Sequence, residues 1–570
     1  MSNSSGSRGR PTLLSLIACF FLVAPQVALA GSLANGDAAA GRSLYWSGLN
    51  DKGEPVTAIA EGDVEFSGTQ FSCVSCHRPS GFGSSEGGHY VPPITGPRVF
   101  NPSEADRVER FKEMFQESQP SSFWAQLREP RLRPAYDETT LARSLRDGID
   151  PNGERLNAVM PRYDIGDRDM ANLIAFIRTL SVAIDPGVDA DTIHFATIVT
   201  EDVDPQAQTA MLDTMQLFFT WMNTDTEGDL QHPAFSPGYR STFLDAYRRW
   251  ELHVWTLTGA PETWPAQLES YLQKQPVFAA IGGLVNGPWT RIGDFCDRQH
   301  LPCLFPNSEL PRQTDVAYGY SIYFSGGLAL EAKALAIYLA NLPQPPRSIK
   351  QVWRNDPYGE IPATAFATAL AELLTETEIV SDSYTDDSEI EAALSTQRSG
   401  LRPEVLVLWP GRQPIPALHA ITRVEPRYTL LSLPSGALEA AKNALDPDMI
   451  GRTIFTHPYE LATRYHPRKF RVRAWMHSRR LEVSHPRLQY QTYYALSLVQ
   501  FGLQHMLSDF HRDYFIELVE HEAENRLNPG THPTLALGPG QRLASKGAYI
   551  IALDQDAKGG YKALSKWIVP

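Results

Sequence analysis

The chain has 570 residues, a hydrophobic content of 42% and a formal net charge of −14 at pH 7. That length exceeds what one core usually supports, so two or three globular units are expected, and the apolar content excludes a mainly disordered chain. The acidic balance excludes nucleic acid as a partner, because phosphate binding needs a concentrated positive field; small molecules and proteins remain.

The first thirty residues read as an address. Arg8 and Arg10 give a positive start, Leu13 to Val23 an apolar stretch and Ala28-Leu29-Ala30 a small-residue cleavage site, so residues 1–30 are a signal peptide and the mature chain lies in the periplasm. The apolar stretch falls short of the roughly 20 residues of a membrane span, and no later segment qualifies, so no transmembrane span is expected. Leu16-Ile17-Ala18-Cys19 also has the look of a lipoprotein box, but it would leave Phe20-Phe21-Leu22-Val23 after the lipidated cysteine. The short signal peptide is the better template.

Cysteine usage divides without remainder. Cys19 leaves with the signal peptide, Cys73 and Cys76 belong to one motif, and Cys296 and Cys303 are left as a pair. In an oxidising compartment that pair reads as a disulfide closing a short loop, worth roughly 2–3 kcal/mol.

Cys73-Val74-Ser75-Cys76-His77 has the spacing for covalent attachment of one haem c: two thiols reach the two vinyl groups while the adjacent histidine reaches the iron. A zinc half-site would need further cysteines or paired histidines, and a redox dithiol would not need His77. Residues 35–185 resemble the class I cytochrome c family, which implies an all-α domain. Asp37 to Tyr45 is similar to the family's first helix, with Asp37 as cap and Gly41 at a close helix crossing; the helix from Asp167, carrying Phe176, is similar to its last. Gly96-Pro97 resembles the family's Gly-Pro, which implies that the Pro97 carbonyl accepts the Nδ1 proton of His77. Met160, followed by Pro161, resembles the distal iron ligand, and thioether ligation raises the reduction potential. Met170 belongs to the apolar face of the last helix, and Met114 to a charged stretch. The stretches Trp46 to Ser72 and from the haem motif to Met160 are longer than in a minimal cytochrome.

Residues 186–192 read as a linker, after which short apolar runs alternate with helical segments. Ile193 to Thr200, Leu252 to Leu257, Val277 to Gly282, Lys350 to Arg354, Val405 to Trp409, Tyr428 to Leu433 and Arg452 to Thr456 have the pattern of buried parallel strands, implying doubly wound α/β lobes. The order of signals over residues 193–570 resembles the type I periplasmic solute-binding family, in its branched-chain amino-acid receptor branch. The resemblance rests on Phe278 to Gly283, Asp294 to Cys296, Leu301 to Pro306 and Asn355 to Gly359, and it implies two lobes and a hinge. Ligands of such folds bind beyond the carboxyl ends of the strands, where Asn286, Trp289, Asn307, Ser308, Tyr358 and Trp409 fall. A basic run from Arg464 to Arg480 reads as a solvated surface.

No Ser-His-Asp arrangement, phosphate-binding loop or His-Glu-x-x-His motif is present, so a carrier is expected rather than a catalyst. Two expectations follow. The first is a periplasmic monohaem c-type cytochrome that transfers electrons with a redox partner such as a dehydrogenase or another cytochrome, its larger unit serving docking or sensing. The alternative is a solute receptor for transport or signalling with an ancillary redox haem.

Overall fold

The computed structural model describes residues 36–570 apart from 61, 87–88, 104–132, 232–247, 313–317, 397–402, 425–427, 463–466, 507–508, 524–527, 555 and 558. The expected signal peptide, together with Met114 and Arg464, lies outside the described residues.

The amino-terminal unit comprises α1 (Ala38–Ser47), β1 (Thr57–Ala60), β2 (Val64–Ser67), α2 (Cys73–His77), β3 (Ser84–Glu86), β4 (His89–Val91), α3 (Gly96–Phe100), α4 (Glu138–Asp147), β5 (Arg162–Asp164) and α5 (Asp167–Thr179). Asp37 caps α1 by accepting from the Ala39 amide, and Gly48 ends it in the left-handed conformation. Helices α1 and α5 cross where Gly41 has no side chain: a Cβ there would stand 1.9 Å from the Asn172 carbonyl oxygen and 2.9 Å from the Phe176 Cβ. Beside that crossing the rings of Tyr45 and Phe176 are 5.1 Å apart. The all-α expectation is corrected here. The long stretch after α1 folds as the antiparallel hairpin β1–β2, which β5 joins to give a sheet of order β2-β1-β5, and β3 pairs with β4.

The larger unit has two lobes. The first holds β6 (Thr192–Thr200), α6 (Pro205–Gln231), β7 (Arg249–Leu257), α7 (Trp264–Lys274), β8 (Ala279–Ile281), α8 (Thr290–Arg298), β9 (Cys303–Leu304) and β10 (Ser321–Ser325). The second holds α9 (Gly327–Ala340), β11 (Ser348–Arg354), α10 (Pro357–Leu373), β12 (Glu378–Tyr384), α11 (Ile390–Ser395), β13 (Val405–Trp409), α12 (Ile415–Arg423), β14 (Leu430–Leu433), α13 (Leu438–Ala444), α14 (Pro447–Gly451) and β15 (Thr453–His457). The chain then returns to the first lobe for α15 (Pro467–Ser478), α16 (Pro486–Met506), α17 (Arg512–Glu522) and β16 (Leu543–Ser545), and ends in the second with β17 (Tyr549–Leu553) and β18 (Tyr561–Ala563).

The sheets follow from this path: β16-β10-β9-β8-β6-β7 in the first lobe and β12-β11-β13-β14-β15-β17-β18 in the second. All strand pairs are parallel except β15–β17 and β17–β18. Alternation along β6 sends Phe195 to the face packed by α6, α16 and α17, and Ala196 and Ile198 to the face packed by α7 and α8. In the second lobe, α9 and α10 cover one face and α11, α12 and α13 the other. Both faces are therefore buried, as a parallel sheet requires.

The segment between the units is fastened. The Arg512 guanidinium donates to the carbonyls of Pro186, Val277, Phe278, Gln299 and His300, and the Asp185 carboxylate accepts from the Arg512 amide. The amino-terminal unit also rests on α17: Ser80 donates through its amide and hydroxyl to the Glu517 carboxylate at 2.8 and 2.6 Å, and Phe82 stacks on Tyr514. Trp46 meets Tyr318 edge-on at 5.0 Å. Burial raises the Glu517 carboxyl well above the ordinary range; the two Ser80 hydrogen bonds oppose it, and Asp513 and Glu520 add to it.

Candidate functional site

A cleft lies where strand ends of the two lobes face each other. Past β8 the chain turns through Gly282 and Gly283, both at positive φ; a Cβ on Gly283 would come within 2.9 Å of the Ile198 carbonyl oxygen. That turn brings Asn286 over the end of β6. Its amide donates to Thr200 Oγ1 at 2.9 Å and its Nδ2 to the Asp202 carbonyl at 2.9 Å, while its Oδ1 is buried without a partner. After β9, the Asn307 amide donates to the Gly283 carbonyl at 3.0 Å. The side-chain oxygen and nitrogen of Asn307 are both buried and neither has a partner. Unmade hydrogen bonds of this kind are costly in a finished interior, by roughly 1–3 kcal/mol each, and mark a place where a further polar group belongs.

The second lobe answers from the start of α10, where Asp356 caps the helix and Pro357 opens it. Tyr358 Oη accepts from the Gly287 amide across the cleft at 3.1 Å. Burial raises the Tyr358 hydroxyl pKa; nearby Glu309 adds to the effect and Arg412 opposes it. Deeper, at the hinge, Glu331 of α9 accepts from the Ser435 amide at 3.0 Å, from the Ser435 hydroxyl at 2.8 Å and from Thr456 Oγ1. Two residues beyond β15, Tyr459 lies under the Arg487 guanidinium at 4.2 Å, and its hydroxyl is pushed up to about 12 chiefly by burial.

Of the predicted cleft residues, Asn286, Asn307 and Tyr358 come together here. Ser308 shapes the neighbouring turn, its Oγ accepting from the Leu310 amide. The two tryptophans are corrected. Trp289 is 1% exposed in the core under α7 and α8; Trp409 is 1% exposed, packs on Phe366, and donates its Nε1 proton to Gln351. Both sit near strand or helix ends, yet their rings point into the lobes. Glu309, Arg412, Tyr459 and Arg487 were missed. Tyr459, two residues past β15, Glu309, beside Ser308, and Arg412, three past β13, were open to the same strand-end rule; Arg487 carried no signal. The basic run is partly packed as well, with Arg479 lying over Trp221 and Trp475.

In the amino-terminal unit, α2 presents Cys73, Cys76 and His77. Cys296 and Cys303 are disulfide-bonded, whereas Cys73 and Cys76 form no disulfide. The Ser84 hydroxyl donates to the Cys76 carbonyl at 2.7 Å, and Tyr45 Oη donates to the Arg78 carbonyl at 2.6 Å, which fixes the end of the turn. His77 is buried, and burial lowers its pKa to about 4, so the ring is neutral at ordinary pH. Its Nδ1 lies 3.1 Å from the carbonyl oxygen of Pro92. Pro97 is thereby corrected as the partner of His77: Gly96-Pro97 opens α3, and the Gly96 amide donates to the Leu180 carbonyl at the end of α5. Met160 lies in a turn, half-buried against the hydrophobic residues that also enclose Val74 and Tyr163. A neutral ring held through Nδ1 next to two thiols that form no disulfide is the donor set a covalent haem takes, so these residues fit that group.

No protein-family model matches the chain, and no curated protein matches it. Solved structures do match. A fatty acid ABC transporter substrate-binding protein from Thermomonospora curvata is 14% identical, with 68% of this chain and 95% of that one covered and a TM-score of 0.45. A branched chain amino acid ABC transporter from Thermus thermophilus with bound valine is 12% identical, with 67% and 98% covered and a TM-score of 0.48. A leucine binding protein from Thermotoga maritima is 13% identical, with 66% and 99% covered and a TM-score of 0.45. At such identities and TM-scores this is a likeness alone; the two parallel-sheet lobes rest on the strand order itself. The expectation of a c-type cytochrome whose work is electron transfer is corrected at this point. The chains that this one is similar to are substrate-binding proteins, none of the three is a cytochrome, and the two-lobed unit is the larger part of the molecule.

Proposed function

We propose that the chain is a periplasmic solute receptor, with a covalent haem at Cys73, Cys76 and His77 as an ancillary group. The observation that carries the receptor reading is the side-chain amide of Asn307, buried at the strand ends with neither its oxygen nor its nitrogen bonded, beside the unpaired Asn286 Oδ1. A small polar solute offering both a donor and an acceptor would complete these bonds and gain the affinity that paired buried groups give. Tyr358 and Gly287 hold the lobes together at the cleft mouth, and Arg412, Glu309 and Arg487 supply charge of both signs for orientation. Among the described residues no helix is long and apolar enough to cross a membrane.

The haem reading rests on the donor set already described. The thiols of Cys73 and Cys76 would bind the macrocycle and His77 the iron, with Pro92 holding the ring and Met160 as the distal ligand. The group supplies a one-electron redox centre when bound.

The test of the receptor is thermal unfolding of the full-length protein against panels of amino acids, small organic acids and alcohols. A stabilising solute is expected, and Asn307→Ala should weaken its binding about tenfold, the equivalent of one lost charged or well-made hydrogen bond. Failure of every panel member to raise the melting temperature would remove the receptor reading.

A further inference from the structure

The linker before β6, the amino-terminal part of β6 and its edge partner β7 bring together a group of side chains that neither the cleft nor the haem motif uses. Parallel pairing sets His194 opposite Glu251 and Ala196 opposite His253. Side chains two apart on a strand share a face, so His194, Glu251 and His253 all project on one side of the sheet. Their ligand atoms all lie within 4.8 Å of one another. His194 Nδ1 is 3.0 Å from His253 Nε2; Glu251 Oε2 is 3.8 Å from the first of these nitrogens and Oε1 3.8 Å from the second.

We infer that His194 Nδ1, His253 Nε2 and Glu251 form a binding site for one divalent transition-metal ion of the zinc class. Two imidazole nitrogens and one carboxylate are a common zinc donor set, with the remaining tetrahedral position left to water. With bonds of about 2.0–2.1 Å, two nitrogens on one tetrahedral ion stand about 3.3 Å apart. The separation found here needs to open only slightly.

The outer partner is already in place. His194 Nε2 lies 2.9 Å from Asp189 Oδ2. A proton on Nε2, donated to that carboxylate, leaves the lone pair on Nδ1, directed toward His253. This carboxylate–histidine arrangement fixes the tautomer and strengthens the ligand nitrogen. Asp189 is itself held, because the Arg248 Nε donates to its carbonyl at 3.0 Å. His194 is 9% exposed at its side chain while His253 and Glu251 are 23% and 57% exposed, so the site opens outward at the sheet edge and an ion has a path to it.

A plain hydrogen bond between two neutral imidazoles accounts for the His194–His253 contact alone. It gives no role to the third ligand on the same face or to the carboxylate that orients His194. The site lies toward the amino ends of β6 and β7, whereas the cleft lies past the carboxyl ends of the strands. Metal and solute therefore occupy separate places in the lobe.

The experiment is equilibrium dialysis of chelator-treated full-length protein against buffered zinc, with elemental analysis of zinc per chain, on the wild type and on His253→Ala, Glu251→Gln and Asp189→Asn. Sites elsewhere, including the Cys73 and Cys76 thiols, are common to all four and cancel in the difference. The wild type is expected to hold one more zinc than His253→Ala. Asp189→Asn should weaken that zinc roughly 10- to 100-fold, the range known for such outer partners, and Glu251→Gln, which removes a ligand, should weaken it at least as much. His253→Cys, which replaces one zinc ligand by another, should restore it. Circular dichroism identical to wild type separates loss of the ion from loss of the fold. Equal zinc in the wild type and a folded His253→Ala would overturn the site.

Discussion

The turn that carries Cys73, Cys76 and His77 and the cleft around Asn307 solve opposite problems. In the first, three chemically distinctive residues lie within five positions, and one short helix presents them together. In the second, Asn286, Asn307, Tyr358, Arg412, Tyr459 and Arg487 span some two hundred residues, and only the packing of two lobes unites them. The difference teaches that a site made by local backbone can be read from spacing, whereas a site made between domains is visible only as orphaned polar atoms after folding.

The largest effect sharpens the local half of this contrast. Cys73→Ala with Cys76→Ala should abolish covalently retained haem altogether, as read by haem staining after denaturing electrophoresis, while the solute-induced thermal shift stays as in the wild type. Loss of both together would break the separation drawn between the two regions.

Arg512 tests whether the linker is a fastened part of the receptor. Its guanidinium donates to five backbone carbonyls, and Arg512→Ala would take that donor from the buried carbonyls of Val277 and Phe278. A loss of at least about 3 kcal/mol is expected in denaturant unfolding. A change below about 1 kcal/mol would mean that water replaces the side chain and the linker is loose.

A smaller and pH-dependent effect belongs to the hinge. His532 is buried, its Nδ1 against the Pro458 carbonyl oxygen and its Nε2 against the Gln491 amide, an arrangement that suits the neutral ring. Burial lowers its pKa from 6.5 to about 4. Because the folded value is depressed, its stabilisation is complete above about pH 6.5 and is lost as pH falls through about 4; the full swing amounts to about 3 kcal/mol. Melting temperatures of wild type and His532→Gln should therefore converge on acidification. Parallel curves from pH 7 to 4 would show that His532 is not the titrating group.

Several strands were legible because their apolar runs are short and bounded: Val405 to Trp409 is observed with the predicted limits, and Thr192–Thr200 differs by one residue. The same runs concealed orientation. All five residues of β13 are buried, so there is no polar alternation to say which way Trp409 points, and its place at a strand end suggested a cleft contact that the packing denies. Glu378–Tyr384 and Ser321–Ser325 are strands that the sequence reading did not name: Ser381, Asp382 and Ser383 break the apolar run of the first, and the second has only Ile322 to Phe324 between two serines. In the amino-terminal unit, Pro97 was chosen because Gly-Pro is a sequence pattern, whereas Pro92 wins because its carbonyl is the one that the chain brings beside His77.

The sequence by itself determined the haem-type motif, the pairing of Cys296 with Cys303 by elimination, and the alternation of strand and helix that makes two α/β lobes. Each is written in residues close together in the chain, where spacing and periodicity leave few geometries. Only the tertiary structure decided the rest: the antiparallel sheet inserted among the amino-terminal helices, the clasp of Ser80 on Glu517, the polar cleft and the His194–Glu251–His253 group. These depend on which faces meet across long separations in the chain, and such meetings exist only once the chain has closed.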